Sequence, residues 1–375
     1  MSARSLVTPT SNPALERALH DKLSRRQEVN GGLGELEPLA TRIGLMQNTL
    51  KPRLREPQLM VFAADHGVAV DGVDTASGVH NRGTSDTVRK ILTNQLPLTV
   101  FAQAQQMQVT VVDCGMADEP PLHDRLLLRK IAHGTRNTRV AMAMSLEQAH
   151  AAMRAGMEIG DKLRGNATVL AGVGVGAHES AALVLARLSD SPIRDLVISG
   201  PDMDTGRLTH LMAVVLGAQA RHREITEPVE VLAAFGGFEV AVMVGVMLMA
   251  ASKRHLLMID GVPACAALMV ASRIAPAVTD YCVFCRSHHH RGLDQALSLF
   301  SASALLELGM EATDGTGATL AWPLVRSAAA LLGDVVERED TGASAPGELE
   351  AEPEPFEPEP QPERELSAIF GPRLY

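Results

Sequence analysis

Asp314 stands directly before Gly315-Thr316-Gly317 in the run Leu308-Gly309-Met310-Glu311-Ala312-Thr313-Asp314-Gly315-Thr316-Gly317-Ala318. Glycine tolerates backbone conformations that crowd other residues, so Gly315 and Gly317 could aim consecutive N–H groups at an anionic oxygen, with a hydroxyl from Thr316 beside them. The apolar sequence that follows suits a buried helix, whose first turn presents N–H groups and the positive end of its dipole to a phosphate. A carboxylate repels a phosphate, so the chemistry open to Asp314 is to take a proton from a neighbouring substrate. The same residues also fit an acidic turn before a helix, and the local sequence alone favours that plainer reading.

Gly172-Val173-Gly174-Val175-Gly176 is a second candidate phosphate loop, with a helix expected after it. Its turn grammar is not that of a dinucleotide fingerprint, and a tight structural turn explains it slightly better than a generic phosphate loop. Cys282-Val283-Phe284-Cys285, followed by His288, His289 and His290, has the donor types of a zinc site. Yet alternation along a strand at Tyr281–Phe284 sends neighbouring side chains to opposite faces, and three adjacent histidines cannot all face one centre without an irregular loop. The expectation is buried thiols, a polar loop and no metal.

The elements that would position these residues follow one grammar. Apolar runs at 58–64, 108–114, 168–174 and 256–260 each end at glycine or an acid. They alternate with Ala/Leu/Met-rich helices expected at 145–164, 178–189, 208–220, 238–252 and 295–308. Such an order implies an α/β fold: a mainly parallel open sheet covered by helices. Ligands in such sheets meet the loops at the carboxyl ends of the strands, which would gather Asp65, Asp113, Gly174, Gly176 and Asp260 along one edge. The glycine-containing stretch 65–86, with Asp71, Asp74, His80, Asn81, Arg82 and Asp86, is a candidate lid over that edge.

Composition narrows the function. The 375 residues carry a formal charge of -10, of which residues 337–366 contribute -9, leaving a nearly neutral body with 3% aromatic residues. Neither a polyanion surface nor a stacking platform for nucleic acid is indicated. The acidic, proline-rich segment repels itself and is expected to be extended, whereas Ser367–Tyr375 regains apolar character. The apolar stretch 238–252 contains Glu239 and is too short for a membrane span, and no signal-like segment opens the chain. Four cysteines define no disulfide scaffold, so a soluble cytoplasmic protein is expected.

Taken in order, several segments resemble the nicotinate-nucleotide–dimethylbenzimidazole phosphoribosyltransferase family over roughly residues 10–335. They are Phe62-Ala63-Ala64-Asp65-His66-Gly67-Val68, Lys130-Ile131-Ala132-His133-Gly134-Thr135-Arg136-Asn137, Ala143-Met144-Ser145, Phe235-Gly236-Gly237-Phe238-Glu239, Ile259-Asp260-Gly261 and the Leu308–Ala318 run. The resemblance implies a homodimer with a large parallel-sheet core, residues 51–310, and a small helical domain from residues 1–50 and 311–336. Residues 337–375 would form a separate tail. It implies transfer of phosphoribosyl from nicotinate mononucleotide to a benzimidazole-like lower base in cobamide biosynthesis, with no cofactor and no metal.

The family's proton-accepting glutamate corresponds to Asp314, whose shorter side chain retracts the carboxylate by roughly an angstrom. Gly174, Gly176, His178, Arg286, Gly315, Thr316 and Gly317 would contact the nucleotide, and Asp86, in Thr84-Ser85-Asp86, the acceptor base. Departures from the family pattern cluster at these loops. Val173 replaces an acid, His178-Glu179-Ser180 a polar triplet and Leu211 a lysine, while Arg286-Ser287-His288-His289-His290-Arg291-Gly292 differs from a Ser-Ala-Glu loop. They leave open a nucleotide-binding or regulatory homologue without turnover, or a subunit that requires a paralogous partner.

Overall fold

A computed structural model describes residues 5–73, 83–120, 122–197, 203–289 and 291–335. The lid segment around Asp74, His80, Asn81 and Arg82 lies outside the described residues, as do His290 and the acidic tail with its apolar end.

Apolar, β-branched runs form six strands: β1 (Gln58–Ala64), β2 (Gln108–Gly115), β3 (Leu126–Leu128), β4 (Ala167–Val173), β5 (Leu256–Asp260) and β6 (Cys282–Cys285). They make one sheet of order β3-β2-β1-β4-β5-β6, with every neighbouring pair parallel. β1, β4, β5 and β6 are buried along their whole length, as expected of strands covered on both faces.

Thirteen α-helices are assigned among the described residues: α1 (Pro13–Asn30), α2 (Leu36–Gln47), α3 (Thr84–Leu92), α4 (Pro97–Ala104), α5 (Leu146–Asp161), α6 (Ala177–Ser189), α7 (Ile193–Leu196), α8 (Thr205–Arg221), α9 (Pro228–Phe235), α10 (Phe238–Ser252), α11 (Val262–Ile274), α12 (Arg291–Ser298) and α13 (Thr316–Gly333). Alternation along β4 separates the two layers. A Cβ at Gly172 would touch Pro263 of α11 and Met243 of α10, whereas Ala171 faces Gly315, beside Leu98 of α4. The fold is therefore α/β with a parallel sheet between helices, plus further helices from the chain ends. Arg26 of α1 ties these together by donating to the carbonyls of Leu331 and Val335.

The segment 238–252 forms α10, which is buried on almost every side. Its partner α5 lies so close that a Cβ on Gly156 would meet the Val242 carbonyl oxygen at 2.0 Å, and one on Gly245 the Met153 oxygen at 2.0 Å. Glycine is needed there for backbone approach. Among the described residues no helix is long and apolar enough to cross a membrane.

One expected helix is shorter than the sequence pattern. The run 295–308 contributes only to α12, which ends at Ser298. Ser301 takes a left-handed φ of 50° and Ala302 N–H returns to the Leu297 carbonyl, which stops the helix. Leu305 N–H then donates to Phe284 O, so the following chain packs beside β6.

Strand order fixes where a ligand can meet the sheet. It reverses between β1 and β4, the switch point at whose carboxyl ends ligands of such sheets bind.

Candidate active site

Two clusters of buried polar side chains stand at that carboxyl edge. The first grows from β1. A register shift between Ala63 and Ala64 reshapes the end of the strand, and Asp65 follows. The Asp65 carboxylate accepts from the Thr84 hydroxyl and, at 2.7 Å, from Ala117 N–H. Val175 N–H donates to Thr84 Oγ1 at 3.0 Å, linking the β1 and β4 loops through the start of α3.

Next along the chain, His66 Nε2 lies 3.1 Å from Glu239 Oε1, both groups almost fully buried. Burial pulls the His66 imidazole towards its neutral form, but Glu239, with Asp65 and Glu179, outweighs this and raises its pKa. Glu239 sits in the first turn of α10, where the helix dipole favours a carboxylate. Gly237 makes the approach possible: a Cβ there would stand 2.1 Å from Glu239 Oε2 and 2.2 Å from His66 Cε1.

The second cluster is centred on Asp314, which is 2% exposed. His178, in the first turn of α6, places Nε2 3.3 Å from Asp314 Oδ2. His288, just after β6, places Nε2 3.0 Å from Oδ1. The two imidazoles meet edge to face with centroids 5.6 Å apart. Burial favours the neutral acid, but His178 and His288 overcome it and hold Asp314 well below the usual carboxylate range. For His288, burial alone would lower the pKa, while Asp314, Glu311 and Asp260 raise it to about 9.

Beneath them lies Asp260, at the end of β5. Its Oδ2 accepts from Ser287 Oγ at 2.7 Å and from Ala318 N–H at 2.9 Å. Burial, then the nearby Asp314 carboxylate, push its pKa up to about 6. Ser287 Oγ also accepts from Gly317 N–H at 2.8 Å. Gly261, at φ +98°, has no side chain because none fits: a Cβ would stand 2.3 Å from Asp314 Cγ.

The residues singled out from sequence fall into distinct places. Asp314 and His178 are in direct contact. Gly176 and Gly315 adopt left-handed φ values of 83° and 91° and begin α6 and α13. Gly174 is packed so that a Cβ would meet Ala64 O at 1.9 Å, which accounts for glycine there by β1–β4 closeness.

The Gly-Thr-Gly turn has internal partners. Thr316 donates through both its N–H and hydroxyl to Thr313 O, Gly317 N–H goes to Ser287, and Ala318 N–H goes to Asp260. A phosphate at this turn would have to displace those bonds. Arg286 is similarly occupied: it donates to His288 O, Glu307 and Asp294, so it holds the loop that carries His288. Asp86 pairs with Arg89 and Lys90 of its own helix, and those two cations lower its pKa.

Sequence reasoning missed the His66–Glu239 pair and the convergence of His288 on Asp314. Gly236-Gly237 before Glu239 was the available sign of a close approach. The cysteines distracted from His288: Cys282 and Cys285 are buried free thiols in β6, and burial pushes both thiols up, Cys282 to about 12. His178, His288 and Asp314 come from three of the segments that depart from the resembled family pattern, and the fold brings them together.

A phosphoribosyltransferase family model matches residues 8–343. The nicotinate-nucleotide–dimethylbenzimidazole phosphoribosyltransferase of Cupriavidus taiwanensis is 39% identical over 335 residues, covering 88% of this chain and 95% of its own length. That of Cupriavidus necator is 38% identical, covering 90% and 97%. A crystal structure of the Thermus thermophilus enzyme of the same name superposes with a TM-score of 0.78 at 30% identity, over 86% of this chain and 96% of that one.

Proposed function

This chain belongs to the nicotinate-nucleotide–dimethylbenzimidazole phosphoribosyltransferase family, and from that premise we propose that it transfers phosphoribosyl from nicotinate mononucleotide to a benzimidazole-like base in cobamide lower-base synthesis. The observation that carries the reading is a buried Asp314 beside the sheet's carboxyl edge, engaged by two imidazoles that favour its ionised form, at the start of a turn that matches the family's acid-Gly-Thr-Gly.

The bond from the ribose carbon to the pyridinium nitrogen breaks, and its electron pair leaves with nicotinate as a neutral ring. A nitrogen of the incoming base forms the new bond from the opposite face. The base's other ring N–H becomes acidic as the ring takes up positive charge, so a carboxylate of low basicity can still accept its proton. His178 and His288 keep Asp314 ionised and fix its orientation, and Arg286 positions His288. The positive end of α6, beginning at Gly176, suits the nucleotide phosphate, with Gly174 letting the β4 end pack against β1 beneath it. Gly315, Thr316 and Gly317 shape the turn that presents Asp314, and Asp86, near Thr84, lies on the acceptor side. The active species is a homodimer in the cytoplasm, with a small domain built from α1, α2 and α13.

Purified chain mixed with nicotinate mononucleotide and a panel of benzimidazoles, purines and phenols tests this. Nicotinate release matched by an N-ribosyl product is expected with a benzimidazole. A folded protein that releases no nicotinate across the panel would sink the reading.

A nucleotide-binding homologue without turnover is the second reading, favoured by one observation: both Asp314 carboxylate oxygens are already engaged by imidazoles. Calorimetry separates the two, since tight nucleotide binding without product supports the second alone.

A further inference from the structure

The residues that meet around Asp314 also constitute a donor set. One ligand-capable atom from each of His178, His288 and Asp314 lies within 4.8 Å of the others, and all three residues are buried. His178 Nε2 stands 3.3 Å from Asp314 Oδ2 and His288 Nε2 3.0 Å from the other oxygen, Oδ1. Ligand atoms bound at roughly 2.0–2.1 Å around a tetrahedral ion stand about 3.3 Å apart, so a set within 4.8 Å closes on a metal by side-chain contraction of about 1–1.5 Å at most.

The surroundings resemble the support that metal-binding histidines need. His288 Nδ1 lies 3.3 Å from Glu311 Oε2, a carboxylate that orients the ring and leaves Nε2 aimed at the cluster. Arg286 Nε donates to His288 O at 2.9 Å and fixes the backbone beneath it. His178 is carried by α6 and Asp314 by the turn into α13, so each ligand stands at the end of a regular element. Gly261 packs against the Asp314 carboxylate from the side, where a Cβ would stand 2.3 Å from its Oδ2.

We propose that His178, His288 and Asp314 bind one divalent transition-metal ion of the zinc class. The two imidazoles are borderline ligands that select such an ion over magnesium or calcium, the carboxylate supplies negative charge, and three protein ligands leave a coordination position for a substrate atom or water. This is a different donor set from the Cys282/Cys285 pair, whose thiols lie in the strand. The site shares Asp314 with the proposed transfer but does not require that transfer to occur. Where both exist, an ion and a substrate proton compete for the same carboxylate.

The test uses untagged full-length protein stripped with chelator and titrated with Zn²⁺ and Mg²⁺ by calorimetry, with Co²⁺ as a visible-absorption probe. One Zn²⁺ per chain is expected, together with a Co²⁺ spectrum of nitrogen and oxygen ligands. Binding should fall at least about 10-fold in His178→Gln and in His288→Gln, fall by about 10–100-fold in Glu311→Gln, and persist in the exposed-site control His289→Ala. Circular dichroism checks that each variant is folded.

Wild-type protein that is folded yet binds neither Zn²⁺ nor Co²⁺ overturns the site, whatever the variants do. So does undiminished binding in the folded His178→Gln/His288→Gln double variant, or Mg²⁺ binding as tight as Zn²⁺. Nicotinate release without metal binding would remove the metal site alone, whereas metal binding together with no nicotinate release from the metal-stripped protein would remove the transfer reading alone.

Discussion

Asp314 joins two properties that seldom coincide: full burial and ionisation. Its two histidines engage both carboxylate oxygens, so losing the carboxylate removes the proton acceptor and leaves two imidazoles without their common partner. Asp314→Ala is expected to lower kcat/KM for phosphoribosyl transfer by about 10²–10⁴-fold, the usual range for loss of a positioned acid or base. Steady-state measurement of nicotinate release checks this, and an unchanged rate refutes the assignment. Gly261 tests the same geometry without touching the chemistry. A methyl there would enter the space of the carboxylate, 2.3 Å from its carbon, at a φ of +98° that L side chains rarely adopt. Gly261→Ala should therefore cut transfer at least about 100-fold, since a displacement of about 1 Å at a reacting group costs that much, and should also lower Tm. Full activity in this variant would mean that Asp314 has freedom the packing denies.

The strands and helices that carry the site depend on buried pairs elsewhere. His255 precedes β5, and its Nε2 lies 2.7 Å from the Thr168 hydroxyl of β4, the strand that ends at Gly172–Val173. Burial lowers its pKa from 6.5 to about 4, despite a hydrogen bond to the Ala167 backbone that acts the other way. Between those two pH values the unfolded chain takes a proton at this ring that the folded chain refuses. Stability is therefore fully retained above pH 6.5 and is lost as pH falls towards 4, by roughly 3 kcal/mol from this residue. Urea unfolding from pH 7 to pH 4 should show a shallower acid loss in His255→Gln than in the wild type; equal slopes would exclude the linkage. His66 has the opposite sign. Its raised pKa contributes stability that is present below pH 6.5 and is lost as pH rises through the folded-state value.

At the scale of the molecule, the proposed homodimer has a direct check. Val70, Leu122, Val140 and Leu216 are exposed on a body whose interior is otherwise well supplied with apolar residues. Sedimentation at micromolar concentration should give twice the chain mass, and a monomer would remove the dimer from the functional reading. The alternating apolar and glycine- or acid-ended runs were enough to specify parallel strands between helices, because burial on two faces leaves a continuous hydrophobic signature in local sequence. They also foretold that Asp65 and Gly174 follow strand ends and that Asp260 closes one. The short strand β3 and the early end of α12 were not legible, since one depends on pairing with β2 and the other on a backbone turn at Ser301. Nor could residues 136 and 110 positions apart, His178 and His288 about Asp314 and each other, be recognised as one cluster from spacing. Sequence by itself determined the fold class and the candidate acid, because both are written in neighbouring residues. Only the tertiary structure decided which histidines surround that acid and which donors of its turn are already engaged, because strand order and loop packing bring together groups that chain distance keeps apart.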